Sequence, residues 1–242
     1  MGMKCAACNS HSCVSKVPVF QNLSAKELGL VESIIESSYY AKGSLVFREG
    51  EQSESLFVVK SGLIKLTQTN KEGKQHIQRF LFPGDYFGQF ALLHNKRNHV
   101  TAEVIEGSDV CRLHRKDFLP LVERNAALAF SFLMSMSEQL QQAEELAGAM
   151  HIFEVEKRLA RLLVYLFSRN QNQNLLLPET RRMSIELPAA KKEFAAMIGT
   201  TAETLSRKLG KLESMHIIEV QKRTVEVRDI QALYQMAEIN EN

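Results

Sequence analysis

Near Leu119 the hydrophobic period of this 242-residue chain changes from two to three or four, and that change limits what it can fold into. Between Val17 and Leu113 the segments SLVFREG, SLFVVKSGLIKLTQT and HIQRFLFPGDYFG are rich in β-branched and aromatic residues, which suit a pleated, half-buried surface. Gly43, Gly50, Gly62, Gly73, Gly84 and Gly88 punctuate them at the spacing of short strands, the pattern of an antiparallel sandwich or barrel. Asn70-Lys71-Glu72-Gly73 predicts a hairpin turn, because glycine tolerates the positive φ such turns need. Before the strands, AKELGLVESIIESS predicts a short amphipathic helix with Ser24 as its N-cap.

Beyond Leu119 the apolar residues Ala126, Ala129, Leu133, Met136, Leu140, Ala143, Ala147 and Met150 recur at steps of three and four, the a/d seam of a coiled coil. The flanking SEQLQQAEE is polar, so the stripe is narrow, and a narrow stripe on a long helix suits a partner helix better than a globular core. A parallel homodimer is therefore expected. Glu138, Glu144 and Glu145 lie beside the seam and would face like charges across a symmetric pair, which makes pairing conditional. A second helix, FEVEKRLARLLVYLFSR, and a polar loop, NQNQNLLLPETRR, follow.

The next stretch carries the functional signal. KKEFAAMIG predicts a helix with Phe194, Met197 and Ile198 on one face, stopped at Gly199. AETLSRKLGKLE predicts another, capped by Thr200 or Thr201, with Leu205, Leu209 and Leu212 inward. Two short helices at a tight glycine turn make a helix-turn-helix, and HIIEV, QKR and TVEVRD read as the strand, turn and strand of a wing. From Arg181 to Arg223 there are nine basic residues against five acidic ones, while the whole chain carries only +2; the basic footprint is local. Lys191, Thr201 and Lys208 are expected among the DNA-binding residues, in a segment whose charge suits phosphate contacts. Glu203, Ser206 and Arg207 are placed on the exposed side of the second helix, where a carboxylate accepts from cytosine and an arginine bridges guanine. The other use of these residues is local: Glu203 closing a capping box with Thr200, and Arg207 solvated.

No apolar run is long enough to cross a bilayer and the N-terminus lacks the apolar core of a secretory signal, so a cytoplasmic protein is expected. Three of the four cysteines, Cys5, Cys8 and Cys13, fall in CAACNSHSC, and the fourth is Cys111 in DVCRLH. In a reducing compartment closely spaced thiols serve as metal ligands or redox switches more often than as structural disulfides. Four thiolates could hold an iron-sulfur cluster; zinc would accept the same set, or three cysteines with His11, as a static knot; a thiol-disulfide switch needs only two. No Gly-rich phosphate loop, nucleophile elbow or HExxH site marks an enzyme, and no histidine marks a haem site.

The array LPAAKKEFAAMIGTTAETLSRKLGKLE, behind a glycine-punctuated β-domain and a long seam helix, resembles the family of the catabolite activator protein and the fumarate and nitrate reduction regulator (FNR). The resemblance implies an α+β chain: a cysteine-rich segment at 1–16, an antiparallel β-roll of the cyclic-nucleotide-binding type at 17–118, a dimerisation helix at 119–150 and a winged helix-turn-helix domain at 151–242. Glu203-x-x-Ser206-Arg207 is similar to the FNR branch, implying a TTGAT-like half-site on double-stranded DNA; the cAMP-responsive branch has an arginine before the glutamate, where this chain has Ala202. In GQFALLHNKRNHVTAEV, Gln89 stands where that branch has a ribose-binding glutamate, and no arginine directly precedes a serine or threonine, so cAMP is not the expected ligand. Lys96, Arg97, His94 and His99 then read as a solvated loop. The resemblance further implies an oxygen-labile [4Fe-4S] cluster on Cys5, Cys8, Cys13 and Cys111, with one residue of difference between the second and third cysteine, and contact with RNA polymerase.

Overall fold

The computed structural model describes residues 17–20, 23–73, 75–94, 97–152, 154–172, 184–187 and 190–238. The chain divides into two compact units, Met1–Gln142 and Ala143–Asn242.

In the first unit a 3-10 turn at Pro18–Phe20 leads to helix α1 (Ala25–Ile34). Ser24 caps α1 through a reciprocal pair of bonds with Glu27, satisfying two of the amide groups a helix start leaves open. The expected helix reached to Ser38. The chain instead turns at Ile35 into strand β1 (Ile35–Tyr40), because that segment pairs antiparallel with β8 (Ser108–His114) from Ile35↔Leu113 to Tyr40↔Ser108. The remaining strands are β2 (Leu45–Phe47), β3 (Ser55–Val59), β4 (Leu63–Thr69), β5 (Gln75–Leu81), β6 (Tyr86–Phe87) and β7 (Thr101–Glu106). They form two four-stranded sheets in the orders β1-β8-β3-β6 and β2-β7-β4-β5, every pair antiparallel.

Strand alternation sorts the side chains of the first sheet. Phe57, Val59, Phe87 and Val110 join Phe47, Ile64, Leu81 and Val104 in one core cluster, where Phe57 stacks on Phe87 with ring centroids 5.2 Å apart. Leu56, Val58, Cys111 and Leu113, the alternate residues, belong to a second cluster with Phe20, Val31, Phe118, Leu128 and Phe132. Both faces of β3 are thus covered, and all five of its residues are buried, as the continuous apolar run SLFVV requires.

Helix α2 (Gln89–His94) follows β6, helix α3 (Arg115–Arg124) follows β8, and helix α4 runs Ala126–Ile152. The long helix was expected from residue 119. It starts later because Asn125 interrupts: its side-chain oxygen accepts from Leu128 N, its amide donates to Glu27 Oε1, and its own backbone is extended. An Asn that bonds the backbone three residues on behaves as an N-cap, so it ends one helix and begins the next.

The second unit contains helix α5 (Val155–Asn172), strand β9 (Ser184–Glu186), helices α6 (Lys191–Met197) and α7 (Ala202–Ser214), strands β10 (Ile218–Gln221) and β11 (Thr224–Val227), and helix α8 (Ile230–Ala237). The strands pair antiparallel in the order β10-β11-β9. Leu159, Leu163, Phe194, Leu205, Leu209, Leu212, Val225 and Leu233 fill its interior. Among the described residues no helix is long and apolar enough to cross a membrane.

Candidate nucleic-acid interface and sensor face

α6 ends at Met197 with Ile198 as its C-cap, and Gly199 takes φ +61, the left-handed conformation that reverses the chain without a Cβ clash. Of the two threonines expected to cap the next helix, Thr201 does so, its hydroxyl accepting from Thr204 N at 3.2 Å. Glu203 is then the second residue of α7, one short of the capping-box position, so the local use of Glu203 with Thr200 does not arise. Leu205, Leu209 and Leu212 are buried, which turns the opposite face of α7 outward: Glu203, Ser206, Arg207 and Gly210 are exposed, as are Thr201 and Lys191 at the starts of the two helices. A carboxylate, a hydroxyl and a guanidinium therefore share one face of a helix that follows a tight turn, the arrangement that offers side chains to base edges in a major groove.

Lys208 is placed differently. Its ammonium is 2.8 Å from Glu156 Oε1, and Lys211 Nζ lies at the same distance from the same oxygen. Two hydrogen-bonded ammonium groups hold the Glu156 carboxyl below the usual carboxylate range, Lys208 first and Lys211 second. Lys208 thus ties α7 to α5, from its half-buried place on the helix flank. Arg158 Nε reinforces the scaffold by donating to Ile198 O at 2.9 Å, at the turn itself.

The wing is β10 and β11, joined by Lys222 and Arg223 between the paired Gln221 and Thr224. Lys222 has φ 56, so a charged residue occupies the first turn position, where a two-residue hairpin favours glycine. Glu213 Oε1 accepts from Val220 N at 2.8 Å, fixing the wing to the end of α7, and Arg223 donates to Leu187 O. β9, which no sequence signal announced, backs the wing. Arg181 and Arg182 lie outside the described residues.

The face of the first unit that the cyclic-nucleotide comparison concerns is built around Gly88. Its φ is +86, and a Cβ there would lie 2.7 Å from Ser55 O, so only glycine lets the chain pass and start α2. Gln89, at that start, donates to Gln139 Oε1 on α4 at 3.1 Å, and Gln139 donates to Tyr86 O at 3.3 Å. Tyr86 is buried, its ring 6.0 Å from that of Phe132, and burial pushes its phenol above the ordinary range. Arg97 donates to Gly50 O at 2.8 Å. Phe90 packs between His94 and His99, with centroids 5.0 and 4.9 Å away.

Along α4 the expected seam divides. Leu133 and Leu140 are 65% and 61% exposed, and Ala143 is exposed, whereas Met136 is half-buried and packs against the core cluster that includes Leu128 and Phe132. Phe130 and Met134, which the a/d reading passed over, are exposed with the leucines. The side chains of Ala147 and Met150 lie outside the described ones. Cys5, Cys8 and Cys13 lie outside the described residues; Cys111 is 6% exposed, in the middle of β8. Among the described residues no group of three or more His, Cys, Asp or Glu side chains is placed to hold a metal ion.

Two helices at a glycine turn, a β-wing behind them and an outward face of base-reading residue types define a winged helix-turn-helix DNA-binding regulator, joined to a β-roll unit. Residues 38–125 match the cyclic nucleotide-binding domain family, and residues 157–236 match the Crp-like helix-turn-helix domain family. The chain is 27% identical over 220 residues to the cyclic AMP receptor protein of Thermus thermophilus, covering 91% of this chain and 96% of that one. It is also 27% identical over 225 residues to the anaerobic regulatory protein of Pasteurella multocida, covering 93% and 80%. In fold it is similar to FixK2 from Bradyrhizobium japonicum, with a TM-score of 0.72 at 21% identity over 86% of this chain and 99% of that one. The chain belongs to the CRP/FNR family of transcription regulators; it is not an enzyme.

Proposed function

We propose that the protein is a homodimeric, cytoplasmic regulator of the FNR branch, sensing oxygen or redox state through a [4Fe-4S] cluster on Cys5, Cys8, Cys13 and Cys111. The observation that carries this reading is the place of Cys111. Its side chain belongs to the same core cluster as Val17, Val19 and Phe20, so the chain that leaves the cysteine-rich segment is anchored in the core that also holds the fourth cysteine. Cys13 is four residues before Val17, a span of at most roughly 14 Å. A donor set of four thiolates, soft and anionic, fits such a cluster, and the name of the Pasteurella relative supports anaerobic regulation. When bound, the cluster would supply an oxygen-labile centre.

The chain's own residues perform the rest. β8 holds Cys111 in register with Ser37 and Val58, so a change at Cys111 acts on the sheet that packs against Leu128 and Phe132 of α4. Gln139 clasps Gln89 and Tyr86 O, fixing how α4 sits on that sheet. Exposed Leu133 and Leu140 form the seam with a second copy, and Glu203, Ser206 and Arg207 read a TTGAT-like half-site, with RNA polymerase as the further partner. A cAMP role is not part of the reading, despite the Thermus relative's name. Gln89 is a neutral amide already engaged by Gln139, and Arg97 is turned to Gly50, so neither supplies the acid or the phosphate clamp a cyclic nucleotide needs.

Anaerobic purification with iron, sulfide and zinc analysis, repeated after air and on Cys111→Ser, tests this. About four irons and four sulfides per chain, a visible absorption band bleached by air, and loss of both in the variant are expected. A colourless protein would overturn the cluster, with stoichiometric zinc pointing to a structural knot and an air-formed disulfide to a thiol switch.

A further inference from the structure

Gly210 is the ninth residue of α7, and nothing among the described residues requires a glycine there. Its φ lies outside the left-handed region, and a Cβ built on it meets no atom within 4 Å. A glycine inside an exposed helix weakens it relative to alanine, since it has the most backbone freedom to lose. α7 carries this defect in its outward face, between buried Leu209 and Leu212 on the inner side.

Position on the helix suggests what the missing side chain is for. From Glu203 to Gly210 is seven residues, about 10 Å along the axis at 1.5 Å per residue, and about 20° short of two full turns. Gly210 therefore points the same way as Glu203. If the first turn of α7 meets base edges, a point about 10 Å further along that face has crossed most of a major groove about 12 Å wide and reaches its wall, which is sugar and phosphate. Exposed Lys211 is the next residue. We propose that Gly210 is the point of closest approach between α7 and the DNA backbone, its bare Cα admitting the sugar-phosphate chain where any side chain would hold it off. The inference rests on α7 being the recognition helix.

Gly29 provides a matched control: it too is exposed inside a helix, α1, with no atom within 4 Å of a Cβ. Full-length wild type, Gly210→Ala and Gly29→Ala are compared by thermal melting and by binding to two duplexes over a salt series. One duplex carries a palindromic pair of TTGAT half-sites, the other a mixed sequence of equal length. Both variants are expected to melt higher, by about 2–6 °C. Gly210→Ala is expected to bind both duplexes about tenfold more weakly, with a shallower salt dependence, because the lost contact is to phosphate. Gly29→Ala should bind as wild type does. Since alanine favours the helix, weaker binding cannot be put down to unfolding. Undiminished binding by Gly210→Ala to both duplexes overturns the inference, as does a lower melting temperature, which would mean the site is packed. A well-folded wild type that binds neither duplex removes the recognition-helix reading itself, and this inference with it.

Discussion

Glu156 holds two cations that a DNA phosphate would also attract. Its carboxyl is 16% exposed, against 24% for Lys208 and 55% for Lys211, so the pair with Lys208 is the better shielded from water and the pair with Lys211 the easier to exchange. The folded carboxyl is lowered below its ordinary value. Its contribution to stability is therefore full above the unfolded value, about 4.3, and is lost as pH falls through the lower folded one. Glu156→Gln should cost about 0.5–1 kcal/mol near neutral pH and flatten the decline in stability between about pH 5 and 3, read from denaturant melts across that range. The same variant frees both lysines, so its binding to a mixed-sequence duplex should steepen with salt by about one phosphate contact. Equal salt slopes would show that the two lysines face no DNA. Lys208 shows the limit of reading residues from the sequence: its own helix says nothing of the carboxylate from α5, 52 positions away, that only the fold brings to it. Glu203, Ser206 and Arg207 were legible because three buried leucines at helical spacing leave them only one side to occupy.

At the scale of elements, α4 has two working faces. Leu128, Phe132 and the buried Ser131 and Ser135 lie toward the sheet, with Gln139 bonded beyond them, while Phe130, Leu133 and Leu140 are left uncovered. Replacing Leu133 and Leu140 by Glu should leave the melting of the first unit unchanged, since both are already more than 60% exposed, and yet convert the dimer to monomer by light scattering. Burying one leucine is worth about 1.5–3 kcal/mol, and twofold symmetry counts each position twice. A double variant that stays dimeric would move the seam elsewhere on the chain. The sequence showed the long helix through its three-four period, but that one stripe cannot reveal that the helix also gives a second face to its own sheet, nor that Phe130 and Met134 are exposed beside the leucines. Ile35–Ser38 reads as helix in the sequence for a similar reason. IESS continues a helical pattern locally, and only pairing with β8, more than 70 residues away, makes it a strand. α2 went unread because six residues are too few to show a period.

For the molecule as a whole, the proposed dimer turns a local property of α7 into a distance. Two copies of one reading head related by a twofold axis engage half-sites about one helical turn apart, roughly 34–36 Å, because only there does the same groove face present itself twice. Each head alone offers three base-reading side chains, and a mismatch costs about 1–3 kcal/mol, so a single half-site cannot discriminate strongly. Specificity then depends on both heads binding at once, and the second binds at the effective concentration set by the link through α4. A series of duplexes with the spacer between TTGAT half-sites lengthened one base pair at a time should show this in gel-shift titrations. Affinity should be highest at one spacing and fall by at least a hundredfold when five base pairs turn the second half-site to the opposite face of the DNA. It should recover little at ten, since the second half-site then lies a further helical turn, about 34 Å, along the DNA axis. The Leu133 and Leu140 double variant should bind every duplex in the series with the same weak affinity, because a monomer has no second head to misplace. Spacing-independent binding by the wild type would mean that the two heads act separately, and that the link between sensor and DNA does not run through the geometry of the dimer.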